Sequence, residues 1–144
     1  MNFSIKLLSG EKITYPLDTN IILKGLLEQE RSEEVRILFE KFSLEKLFLS
    51  DIALYSIGII LFRLNKKDQF DIFLESVINR GMEVISIDKN KLSDIKNISD
   101  KFQLDFEDSY QLLLSRLNHL QLISFDKDFD KIEKLRKEPK DILK

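Results

Sequence analysis

Short apolar runs with the two-residue rhythm of strands alternate with longer runs at helical spacing, and this alternation narrows the fold more than any other feature of the chain. Strands are expected at Ile13–Leu17, Lys46–Leu49, Glu83–Ile87 and Leu122–Phe125. Helices are expected at Asn20–Glu28, Ser32–Phe42, Ile52–Leu64, Lys66–Arg80, Leu92–Phe102 and Phe106–Leu117, with a last one starting over Asp130–Arg136 that Pro139 helps to end. Ser32 is a good N-cap, and Gly81 a good stop. Such alternation predicts an α/β fold with a mainly parallel central sheet flanked by helices. Pro16 is awkward if the first strand is central, because it removes a ladder donor. Met1–Lys12 has the makings of an extra strand or hairpin turning at Ser9-Gly10.

Aspartates stand where the strands run out. Asp18 closes Ile-Thr-Tyr-Pro-Leu and opens Asp-Thr-Asn, while Asp126 and Asp128 follow Leu-Gln-Leu-Ile-Ser-Phe. Asp108 opens the long helix between them. Each has a plain reading as a helix cap or first-turn acid. Taken together they mean more, because ligands of parallel sheets bind outside the carboxyl ends of the strands. Several converging carboxylates with no cationic partner in the pattern point to a hard divalent metal, and such an ion points to phosphodiester chemistry. Thr19 and Asn20 carry short polar groups suited to orienting a carboxylate or a water.

Composition bounds the rest. With 144 residues, 43% of them hydrophobic and 33% charged, the chain has the makings of one ordinary globular domain. There is no cysteine, which removes disulfides, thiolate zinc sites and a cysteine nucleophile. That absence and the lack of a visible signal peptide fit a reducing compartment, and a cytoplasmic location is expected. The most apolar stretch, Ile52–Phe62, is too short to span a bilayer and reads as a buried helix or, in part, a homodimer interface. The net charge of −2 is not that of a dedicated duplex binder, although Lys131, Lys134, Arg136, Lys137, Lys140 and Lys144 crowd the C-terminal end. Most of the 11 phenylalanines follow helix or strand periodicity and read as core, and His119 reads as an exposed helix-end residue.

Three short motifs, in order, resemble the PIN-domain ribonucleases, the fold of many VapC-type toxins of toxin–antitoxin pairs. They are Leu17-Asp18-Thr19-Asn20, Asp105-Phe106-Glu107-Asp108-Ser109 and Ile123-Ser124-Phe125-Asp126-Lys127-Asp128-Phe129. The resemblance covers roughly Ile13–Phe129 and implies a three-layer fold, a quartet of acids holding Mg²⁺ or Mn²⁺, an RNA substrate and an antitoxin partner. Asp18, Asp108 and Asp126 carry over as metal ligands, with Asp128 as an accessory ligand and Asn20 and Ser124 as positioning groups. The fourth acid of the family is a glutamate about two turns into the helix after the second strand. Here Ser56 stands at that place. Asp51, Asp128 and Glu107 are the acids available to make up the missing charge. The alternative implied by Ser56 is a degenerate PIN domain that binds RNA or protein without cutting. A haloacid-dehalogenase-like phosphatase would need an aspartate where Asn20 stands.

Overall fold

The computed structural model describes residues 14–42 and 46–143. The hairpin expected over Met1–Lys12 lies outside them. Strands β1 (Tyr15–Pro16), β2 (Leu47–Ser50) and β3 (Glu83–Ile85) form a parallel ladder, with Tyr15 opposite Leu47 and Phe48 opposite Glu83. β4 (Leu122–Ile123) and β5 (Arg136–Lys137) pair in parallel, Leu122 opposite Arg136. A single parallel bridge, Leu17 to Ile123, joins the two, so the order across the molecule is β3-β2-β1-β4-β5.

Pro16 is therefore in a central strand, and the pairing shows how it is accommodated. Leu17 donates its N–H to Phe48 at 2.9 Å, and Asp18 donates to Ile123 at 2.9 Å. Donors alternate sides along a strand, so the N–H that Pro16 lacks would face the β4 side. The link to β4 begins only at Leu17, and no donor is needed there.

The helices are α1 (Thr19–Leu26), α2 (Ser32–Lys41), α3 (Asp51–Arg63), α4 (Lys67–Leu74), α5 (Asp94–Phe102), α6 (Phe106–Leu117) and the short α7 (Pro139–Ile142). Period-two alternation in the strands divides the core. Leu47 and Leu49 pack with Ile21, Val35, Leu38 and Ile57, whereas Phe48 between them packs with Ile95, Leu112 and Leu114. Ile123 and Leu122 divide the same way. The sheet thus lies between α1–α4 on one face and α5–α6 on the other. Each such buried aliphatic or aromatic side chain contributes roughly 1.5–3 kcal/mol.

Three expectations are corrected. The last helix is absent from Asp130–Arg136: Lys127–Lys131 winds into a 3-10 turn and Arg136–Lys137 is β5. Leu122 and Ser124 donate to the carbonyls of Leu135 and Lys137, so this backbone is spent on the sheet. Aspartates favour caps and turns over helix interiors, which is why Asp126, Asp128 and Asp130 form a turn. Pro139 opens α7, as a residue without an N–H can at the first helical position, behind a reciprocal cap between Glu138 and Asp141. Ser32 is inside α2, and Arg31, in the left-handed region at φ 70°, holds the cap position.

Helix α3 buries Ala53, Ile57 and Leu61 but leaves Tyr55, Ile59 and Phe62 about half exposed or more, at 64%, 52% and 49%. Only one face of this apolar helix is covered by the described residues. Gly58 admits the ring of Phe70 from α4, since a Cβ there would come within 3.2 Å of it.

Candidate active site

Reversal of strand order between β1 and β4 opens a crevice at the carboxyl ends of both strands. Asp18 leaves β1 there, and Ser124 and Asp126 leave β4. Asp18 caps α1 and is 5% exposed. One of its oxygens accepts from the Thr19 N–H at 2.8 Å, the other from the Ser124 hydroxyl at 2.6 Å. Ser124 Oγ in turn accepts from the Asp126 N–H at 2.9 Å and from the Asn20 amide at 3.4 Å. The Asn20 carbonyl accepts from the Phe125 N–H at 3.3 Å. Two segments far apart in sequence are stapled into one unit. Arg136 adds a bond to the Ser124 carbonyl at 3.1 Å, while pairing with Asp130 and Glu138.

The third acid arrives on α6. Asp105 caps this helix by accepting from the Asp108 N–H at 2.8 Å, which leaves the Asp108 carboxylate free of that duty. Beside it, Glu107 accepts from the Thr19 hydroxyl at 3.1 Å. Burial pushes the Asp18 carboxyl up to about 6, against the hydrogen bonds from Ser124 and Thr19, and the charges of Glu107 and Asp126 add to the rise. Asp108 is pushed up to about 7, again first by burial and then by Asp105, Asp18, Asp126 and Glu107. Asp18, Asp108, Asp126 and Glu107 therefore share one electrostatic neighbourhood. Among the described residues no Lys or Arg pairs with any of the four.

Other expected site residues are placed differently. Asp51 accepts from the Tyr110 hydroxyl at 2.6 Å and from the Ile52 N–H at 2.8 Å. Tyr110 accepts in turn from the Ile87 N–H at 2.9 Å, so Asp51 is engaged in tying α3 to α6 and the end of β3. Asp128 is exposed and joins the network through its N–H, which Asp126 accepts at 2.9 Å. Ser56 is half-buried on α3. Residue-by-residue reading passed over the cations around Phe125: Arg31 stacks on its ring at 4.2 Å, and Lys24 approaches at 5.7 Å. The only sequence signal for this was an aromatic residue next to Asp126.

The donor chemistry fits a hard divalent ion, since every candidate ligand is a carboxylate oxygen and the group lacks a compensating cation. Among the described residues no three acidic or histidine side chains are gathered closely enough to grip an ion directly.

The family model for the PIN domain matches residues 15–135. The chain belongs to the PIN domain family. No curated protein matches it in sequence. Solved structures share the fold. A toxin–antitoxin complex from Klebsiella pneumoniae superposes with a TM-score of 0.65 at 19% identity, covering 88% of this chain and 98% of that one. FitAcB from Neisseria gonorrhoeae gives 0.66 at 17% identity, with 88% and 98% coverage. PAE2754 from Pyrobaculum aerophilum gives 0.67 at 16% identity, with 91% and 94% coverage. The family match spans all three acidic motifs of this PIN domain and Ser56 between the first two. No helix among the described residues is long and apolar enough to cross a membrane.

Proposed function

We propose that this PIN domain is a divalent-metal-dependent ribonuclease, working with Mg²⁺ or Mn²⁺ in the cytoplasm as the toxin of a toxin–antitoxin pair. The observation that supports this reading is that Asp18, Asp108 and Asp126 influence one another's ionisation by the crevice between β1 and β4, with no Lys or Arg among the described residues paired to them. Those three would hold the ion. When bound, it lowers the pKa of a water and offsets charge building on a phosphate. The chain's own groups do the positioning. Ser124 and the Thr19 N–H fix both oxygens of Asp18, and Asn20 locks the Phe125 backbone so that Asp126 follows in register. The description of one fold neighbour as a toxin–antitoxin complex supports an antitoxin partner here.

The reading includes a second copy of the chain on the apolar face of α3. A two-fold axis over this face would bring Tyr55, Ile59 and Phe62 of the two copies together.

The rival reading, binding of RNA or protein without cleavage, has Ser56 in its favour. A mixed RNA pool incubated with Mn²⁺, or with EDTA, decides between them. Cleavage with Mn²⁺ that EDTA stops, and that Asp108→Asn loses, is the expected result. An intact pool under both conditions leaves the binding module.

A further inference from the structure

Glu138, between β5 and α7, is a carboxylate only 6% exposed. A charge so deeply placed is costly unless it is paired and hydrogen-bonded. Two arginines pair with it, one at the start of α2 and one in β5. Arg31 donates to its Oε1 at 2.7 Å and Arg136 to its Oε2 at 2.6 Å. They hold the Glu138 carboxyl down to about 2, Arg31 foremost and against the effect of burial, so its charge persists across the ordinary pH range. Each arginine also has a more exposed partner, Glu34 for Arg31 and Asp130 for Arg136. Pairs nearer the solvent fix geometry less firmly. The buried carboxylate that both share is what orients the two guanidinium forks.

Those forks rest on the start of the crevice wall, residues 124–126. The same Arg136 Nη1 that meets Glu138 donates to the Ser124 carbonyl at 3.1 Å. Arg31 lays its guanidinium on the Phe125 ring at 4.2 Å. The Arg31 backbone is at φ 70°, a conformation that a residue other than glycine keeps only where its surroundings over-determine it. Ser124 and Phe125 in turn carry the bonds to Asp18 and Asn20, and Asp126 follows them. Capping of α7 gives a reason for an acceptor at position 138. One oxygen serves a cap, however, and a cap requires neither arginine. Arg136 and Glu138 both lie past residue 135, outside the family match.

We infer that Glu138 is a positioning residue: through Arg136 on the Ser124 carbonyl and Arg31 on the Phe125 ring, it fixes the strand-end segment from which Asp126 enters the crevice. The consequence for catalysis rests on the nuclease reading above, whereas the positioning itself does not. Glu138→Gln is the informative change. Its amide keeps one oxygen as an acceptor, for the cap or for one arginine, and turns an NH₂ group toward the other.

Native-state amide hydrogen exchange of the full chain, free of metal and RNA, reads the outcome. Glu138→Gln is expected to speed exchange at Phe125 and Asp126 by about 10–100-fold, the equivalent of one lost charge-assisted hydrogen bond. Leu112 and Leu114, buried in α6, are expected to exchange as in wild type. Arg136→Lys keeps the charge and loses the fork, so it is expected to give the same local pattern, and it carries the test if Glu138→Gln does not fold. Wild-type exchange at Phe125 and Asp126 in a folded variant overturns the inference. So does an equal acceleration at every site, which marks a contribution to global stability alone. If wild type cleaves RNA, Glu138→Gln is expected to lower kcat by about 10–100-fold with KM unchanged. An unaltered kcat removes the catalytic consequence. A wild type that cuts no RNA removes the nuclease reading, and exchange still decides the positioning.

Discussion

Asp18 shows how one side chain serves two ends that oppose each other. As a cap and an acceptor for Ser124 it organises the crevice, yet burial and like charges disfavour its ionised form. Its folded pKa, about 6, lies above the ordinary 3.8 of an aspartate, so the folded state holds a proton that the unfolded chain has released. Stability of the metal-free protein must then fall as pH rises from about 4 through 6, and stay lower above that. Asp108, at about 7, extends the same trend upward. The contribution of Asp18 is on the order of 3 kcal/mol. Asp18→Asn is expected to abolish RNA cleavage while flattening this dependence and holding or raising the melting temperature at pH 7.5. Denaturant midpoints of wild type and variant at pH 4.5 and 7.5 check it. A variant that cuts at the wild-type rate removes Asp18 from the chemistry.

Between elements, the bonds that matter tie helix starts to strand ends. Tyr110 joins three of them: it donates to Asp51 at the start of α3 and accepts from Ile87 just beyond β3. Tyr110→Phe keeps the ring but leaves a buried N–H without its acceptor. The expected cost is about 1–3 kcal/mol, read as a lower urea midpoint with an unchanged slope. An unaltered midpoint would show that water replaces the phenol at no cost.

Elements also mark how far the sequence was readable. Strand–helix alternation and the three acidic motifs were legible because each is local: a period of two, a helical stripe, an acid at the end of a run. Asp51 and Asp126 read alike on that basis, since both are aspartates beside a strand end. Only the fold puts a tyrosine from another layer on Asp51 and the neighbours Ser124 and Asp18 on the Asp126 segment. The stretch Asp130–Arg136 looked helical because its charges are helix-compatible. Its backbone is taken instead by β4, a partner that no local pattern announces. Arg31 was invisible for a similar reason: its place is set by Phe125 and by Glu138, 107 residues away.

At the scale of the whole molecule, the exposed face of α3 is where the proposed second copy docks. Tyr55, Ile59 and Phe62 recur at the spacing of one helix face, and Ile72 on α4 is a further exposed apolar residue at 58%. A face of this kind in a lone molecule is a liability. Sedimentation velocity is expected to give a dimer for wild type and a monomer for Ile59→Glu, with the melt of the variant still cooperative. A wild-type monomer at high micromolar concentration would leave that face for a different protein.

One bridge, from Leu17 to Ile123, sutures the two halves of the sheet, and the acids gather immediately past it. Asp18 leaves the ribosome more than a hundred residues before Asp126. A nascent chain, or one whose halves have come apart, owns every acid and still has no crevice. That seam makes the site a product of completed folding.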